Sequence, residues 1–182
     1  MKGISALVLD RDQFTRSLVS QMLRGFGLDT LGAFETGAQG MEYLQNNRVD
    51  LCIIEAMLPD MKSSELLSWL RKQERQMRFT PVIVLTGYTQ LRMVAAARDG
   101  GANSVVKKPV SPRGLFDRIN WVARVQRPFI DAGHYVGPDR RFRKEPPPDG
   151  RYKRETDEGT DVEVTNSSPE TVNPLAQALS RG

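Results

Sequence analysis

Short runs of apolar residues, each closed by an acid or a turn residue, alternate along the first 125 positions with longer stretches of helical spacing. The runs occupy 5–9, 51–54, 82–85 and 104–106, with a weaker one at 30–34 after the turn around Gly27. Runs this short and this uniformly apolar suit strands covered on both faces of a parallel sheet. Between them, Phe14, Leu18 and Met22 share one helical spacing, as do Met41 and Leu44, then Leu66, Leu67 and Leu70, then Met93 and Ala96, then Leu115, Ile119 and Val122. Five strand-then-helix units predict a doubly wound α/β domain over residues 1–125, a five-stranded parallel sheet with right-handed crossovers and helices on both faces. Cys52, between apolar neighbours, is expected to be a buried small hydrophobe, and Met41, Met57, Met61, Met77 and Met93 are expected to fill core gaps and anchor loops.

The pattern stops near Val125. Seven of the eleven prolines follow it, including Pro146, Pro147 and Pro148, and extended apolar periodicity is lost. Residues 126–182 therefore read as a mostly disordered tail, with too little apolar surface to offset the entropy of ordering. Charge divides the chain at the same point. Residues 1–125 carry 17 basic and 12 acidic side chains, and residues 126–182 carry 9 and 10. Within the tail, 140–154 holds seven basic residues (Arg140, Arg141, Arg143, Lys144, Arg151, Lys153 and Arg154) against two acids, and 155–180 holds six acids and no base.

No apolar run approaches the roughly 20 residues of a membrane helix, because the first is cut short by Asp10, Arg11 and Asp12. One cysteine and one histidine cannot make an internal disulfide or a structural zinc site, so a reduced, cytoplasmic location is the expectation. No glycine-rich phosphate loop of the G-x-G-x-x-G kind and no nucleophile–base pair is visible, which argues against an enzyme acting on small molecules.

In an open parallel sheet, chemistry collects beyond the carboxyl ends of the strands. The residues there are Asp10, Arg11 and Asp12, then Glu55, then Thr86 and Gly87, then Lys107, Lys108 and Pro109. Four motifs carry the reading further: Leu9-Asp10-Arg11-Asp12, the stretch from Glu55 to Met61 with its Leu58-Pro59-Asp60, Leu85-Thr86-Gly87 and Lys107-Lys108-Pro109. Together they resemble the CheY-like receiver domain of two-component response regulators over residues 1–125. The resemblance implies a signalling role in a phosphorelay, with a histidine kinase or a downstream regulator as protein partner. It also implies an acidic pair binding magnesium at Asp10 and Arg11, a phosphoacceptor at Glu55, and phosphoryl-oxygen contacts from Thr86 and Lys108.

Two of those positions depart from the family pattern. Glu55 stands where the family has aspartate, which carries the carboxylate roughly 1.3 to 1.5 Å further out. In-line phosphoryl transfer depends on positioning at about that scale. Arg11 stands where the resemblance places an acid that touches the metal, and a cation cannot ligate magnesium. Asp10 and Asp12 are the residual metal candidates. With Asp10 and Glu55 facing Arg11 and Lys108, the formal charge of the pocket sums to zero, so Arg11 or Lys108 is expected to pair with Glu55, by a bidentate fork if it is Arg11. Val105 occupies the position of the family's switch aromatic, and Ser63 that of a glycine, which points to a module fixed near one conformation.

The leading expectation is thus a stand-alone pseudo-receiver, not an enzyme, with no cofactor and no folded output domain, acting through protein contacts. Tyr88, Trp121 and Arg124 lie on the face that receivers use for partners. One alternative is an active phosphoacceptor in which Glu55 or a neighbouring acid such as Asp60 takes the phosphoryl group with magnesium. A second is nucleic-acid binding through the basic tail, where Phe142 and Tyr152 accompany the cations. For Gly137-Pro138-Asp139-Arg140-Arg141 a short docking segment is the economical reading.

Overall fold

The computed structural model describes residues 4–87, 91–125, 128–131, 135–139 and 163–165. Five strands, β1 (Ile4–Leu9), β2 (Leu28–Phe34), β3 (Leu51–Glu55), β4 (Val82–Thr86) and β5 (Ser104–Lys107), form one parallel sheet in the order β2-β1-β3-β4-β5. The connecting helices are α1 (Gln13–Gly25), α2 (Gly37–Asn46), α3 (Ser63–Arg71) and α4 (Leu91–Asp99), and α5 (Pro112–Arg124) follows the last strand. A 3-10 turn, Arg75–Phe79, leads into β4.

The three central strands are buried at every residue, which is why their sequences are apolar without alternation. The edge strands β2 and β5 are partly exposed and correspondingly weaker as sequence signals. Alternate strand residues feed two cores. Ala6, Val8, Ile53, Ile83 and Leu85 meet Val19 and Leu23 of α1 and Leu115, Ile119 and Val122 of α5. Leu7, Leu9, Cys52, Ile54 and Val84 meet Leu44 of α2, Leu66, Leu67 and Leu70 of α3 and Ala97 of α4. Cys52 is fully buried, and burial pushes its thiol up to about 12, as suits a small hydrophobe. Among the described residues, no helix is long and apolar enough to cross a membrane.

The helical periods hold, but on two helices the buried stripe differs from the expected one. On α1, Phe14 and Leu18 are exposed at 73% and 38%, and Val19 and Leu23 enter the core instead. Two apolar stripes run along this helix, and spacing alone does not say which faces the sheet. On α4 it is Ala97, not Ala96, that is buried.

The tail expected from residue 126 is amended in its first part. Strands β6 (Phe129–Asp131) and β7 (Val136–Pro138) pair antiparallel, with Phe129, Tyr135, Gly137 and Pro138 buried, and β8 (Glu163–Thr165) pairs with β6. Strands of three residues leave no periodicity to read. The basic residues Arg140, Arg141, Arg143, Lys144, Arg151, Lys153 and Arg154 lie outside the described residues, as does Tyr88.

Helix α2 lies close enough to the sheet that a Cβ on Gly40 would fall 2.5 Å from Leu9 Cδ1 and 2.9 Å from Cδ2, inside a packed core. Alanine at an exposed helical site gains about 1 kcal/mol over glycine, whereas overpacking a core costs about 1–3 kcal/mol. Gly40→Ala is expected to lose about 1 kcal/mol net, read as a lower urea midpoint with an unchanged slope.

Candidate functional site

Strand register assembles the pocket. Leu9 of β1 pairs with Ile54 of β3, so the next residue on each, Asp10 and Glu55, emerge side by side. Thr86 of β4 pairs with Lys107 of β5, and the Lys108 N–H donates to the Thr86 carbonyl at 2.7 Å. Asp10, Glu55 and Thr86 are all buried, at 1%, 5% and 3% exposure. The sequence-predicted set therefore converges at one mouth.

Lys108 organises it. Its Nζ forms a close charged hydrogen bond to Asp10 Oδ2 and lies 3.3 Å from Glu55 Oε1, spanning the two buried acids. Arg11 holds both oxygens of Glu55 by different means: its backbone N–H donates to Oε2 at 3.2 Å and its Nε lies 3.6 Å from Oε1. The expected pairing is present with both cations, but the Arg11 contact combines a backbone amide with Nε, and the Arg11 side chain remains 54% exposed. Asp10 Oδ1 accepts the Asp12 N–H at 3.0 Å. Burial pushes the Glu55 carboxyl above its ordinary range, and the Asp10 charge adds to this, while the Arg11 amide and Lys108 oppose it.

The neighbouring acids are engaged elsewhere. Asp12 is the N-cap of α1, its Oδ1 accepting from both the backbone N–H and the hydroxyl of Thr15 at 2.7 Å, and these bonds hold its carboxyl below the ordinary value. Asp60 accepts the Gly37 and Ala38 amides of the first turn of α2, each at 2.8 Å. Burial alone would raise the Asp60 carboxyl, but those amides bring it below its usual range. Sequence reasoning missed this long-range cap, and also Arg16, whose Nη1 donates to the carbonyls of Asp10 at 2.6 Å and Arg11 at 3.1 Å and fixes the loop between β1 and α1. Arg16 follows Asp10 by six residues, so one turn of helix brings it back over the loop, a spacing that could have flagged it.

A hard divalent cation takes about six oxygen ligands. Here the two inward carboxylates are bridged by an ammonium, Arg11 occupies the next position, and Asp12 is turned to its helix. Among the described residues, no group of three or more acid, histidine or cysteine side chains is placed to hold a metal ion. The donor set does not fit the ion. On α5, Trp121 is half-buried against the core with Arg118 stacked over its ring at 5.6 Å, and Arg124 is exposed.

Comparison with known proteins identifies the fold and the family. The family model described as response regulator receiver domain matches residues 6–120. The chain is 31% identical over 121 residues to the DNA-binding response regulator MtrA of Mycolicibacterium smegmatis, covering 66% of this chain and 50% of that one. It is 31% identical over 122 residues to the transcriptional regulatory protein GltR of Pseudomonas aeruginosa, with 67% and 50% covered. The chain thus spans about half the length of these curated relatives. Among solved structures, the chemotaxis response regulator CheY4 of Vibrio cholerae superposes with a TM-score of 0.62 at 26% identity, covering 66% of this chain and 99% of that one. A CheY-like receiver domain protein of Methanospirillum hungatei gives 0.59 at 28% identity, with 65% and 91% covered. With this match over most of the five-stranded domain, the chain belongs to the response regulator receiver family of two-component signalling.

Proposed function

We propose that this receiver is a pseudo-receiver: it transmits a signal through protein contacts from a fixed pocket, without magnesium-dependent phosphorylation. Receiver domains work with histidine kinases and downstream regulators, and a protein of this kind is the partner proposed here. The single observation carrying the reading is Arg11, which stands where the resemblance places a metal-binding acid and engages Glu55 through both its backbone amide and its guanidinium. A side-chain cation at that position supplies positive charge where a divalent ion needs oxygen ligands.

Three further features support it. Lys108 places a further cation on Glu55 and on Asp10. Asp12 and Asp60, the acids that follow Asp10 and Glu55 along the chain, are engaged as helix caps, so neither is poised to replace Glu55 as acceptor. Val105, half-buried on β5 against the α2–α3–α4 core, has no aromatic ring to swing between two positions. The face at Trp121 and Arg124 is proposed as the contact surface, and α5 holds it rigidly on the sheet.

Two measurements bear on this. Incubation with acetyl phosphate and magnesium is expected to leave the intact mass unchanged. A phosphoryl adduct that disappears in Glu55→Gln would overturn the reading. Magnesium titration followed by the fluorescence of Trp69 and Trp121 is expected to be flat in the wild type and to show saturable binding once Arg11→Asp and Glu55→Asp are combined.

Glu55 also sets a pH dependence. Its folded-state carboxyl titrates above the ordinary value near 4.5, so the folded chain holds that proton more tightly than the unfolded chain. The associated stability is present below that ordinary value and is lost as pH rises through the raised one. Asp12 and Asp60 work in the opposite sense, losing their contribution as pH falls through values below 3.8, so the windows separate. Urea unfolding between pH 4 and 7 is expected to show a decline with rising pH that is absent in Glu55→Gln.

A further inference from the structure

At the end of the sheet opposite the pocket sits a fully buried cation. Arg71, the last residue of α3, is 1% exposed, and all its donors are bonded to neutral acceptors. Nε donates to Gly101 O at 3.1 Å; Nη1 donates to Arg78 O at 2.6 Å and Thr80 O at 2.8 Å; Nη2 donates to Gly101 O at 2.8 Å and Asn103 Oδ1 at 3.2 Å. No carboxylate among the described residues pairs with it. Burial lowers its pKa only to about 10, so it stays charged at neutral pH. The carbonyls it gathers belong to the segments entering β4 and β5. One side chain thus ties the end of α3 to the 3-10 turn and to the α4–β5 connection.

The β6–β7 strand pair closes this site. The Phe129 ring lies over the guanidinium at 5.1 Å and meets Phe79 edge-on at 4.8 Å. Arg78 Nη2 pairs with Asp131 at 2.9 Å, and the Asp139 N–H donates to Pro128 O at 2.8 Å. The Tyr135 hydroxyl donates to Pro138 O at 2.6 Å. Two glycines make the approach possible. A Cβ on Gly137 would lie 2.9 Å from Gly101 Cα and 2.7 Å from the Tyr135 oxygen. Gly101 itself has φ +95, and a Cβ there would lie 2.9 Å from Val136 O. Val136 and Gly137 therefore sit directly against Gly101, with no room for a side chain on either glycine.

We propose that the β6–β7 pair, residues 128–131 and 135–139, is a strap that holds the α4–β5 connection and the entry to β4 through Arg71. The freedom of that part of the domain is then set by the chain that follows α5, independently of the pocket. The strap keeps water from a guanidinium whose partners are all backbone or amide oxygens. When it lifts, the guanidinium regains water, and its hold on Gly101, Arg78 and Thr80 weakens together.

The test is hydrogen exchange, read by mass spectrometry on the full chain, with Gly137→Ala and Phe129→Ala. Amides at 76–80 and 97–103 are expected to exchange about tenfold faster in both variants, with β1 and α1 within about twofold of wild type. Glu55→Gln should leave 97–103 unchanged. If 128–139 exchanges freely while 76–80 and 97–103 keep wild-type protection, the strand pair is a passenger and the proposal fails. Uniform acceleration across every element also overturns it, because the effect is then global stability and not local restraint. Should Gly137→Ala not fold, Phe129→Leu, which keeps apolar bulk and removes the ring over the cation, carries the same outcomes.

Discussion

Two carboxylates buried side by side must be neutralised, and the rest of the pocket follows from how this chain does it. The β1–β3 register leaves Asp10 and Glu55 no choice but to emerge together, both almost out of reach of water. A buried, uncompensated charge costs several kcal/mol, and two like charges at close range cost more. Lys108 stands between them because β5 runs beside β4 and ends at the same mouth. The sheet order thus fixes where the neutralising charge comes from as firmly as it fixes the acids.

The same chain meets the same problem at the other end of the sheet with different chemistry. At the mouth, cations meet acids; at the base, the Arg71 cation meets carbonyl oxygens and an aromatic face. Five planar donors in a fork can satisfy several carbonyls from one point, which an ammonium could not do with the same reach. The mouth pair depends on protonation, since Glu55 titrates in a range set by its burial, whereas the base does not titrate near neutrality. The two ends can accordingly respond to different inputs.

The central strands were legible because burial on both faces leaves an unbroken apolar run, and the mouth residues were legible because they end those runs. The edge strand β2 was weaker for the converse reason, alternating between core and solvent. Which stripe of α1 faces inward was not legible, since Phe14-Leu18 and Val19-Leu23 have the same spacing. Charge arithmetic gave a neutral pocket but not the division of labour, in which Lys108 takes both acids and Arg11 reinforces one. Arg71 was invisible for a different reason: a basic residue in the last turn of an amphipathic helix reads as solvated. The carbonyls it gathers give no sequence signal, and the ring that covers it, Phe129, lies in a strand too short to show a period.

The extra methylene of Glu55 then acquires a physical reading. Its Oε1 reaches Lys108 at 3.3 Å while Oε2 takes the Arg11 amide at 3.2 Å, so one carboxylate joins the β5 end of the mouth to the loop after β1. A side chain shorter by one carbon would withdraw those oxygens by roughly 1.3 to 1.5 Å, stretching both contacts beyond hydrogen-bond range. Lys108 could not follow, because Asp10 holds its ammonium. Length at position 55 and charge at position 11 are therefore one arrangement: the longer acid spans the gap between Lys108 and the Arg11 amide, and the Arg11 guanidinium lies beside it.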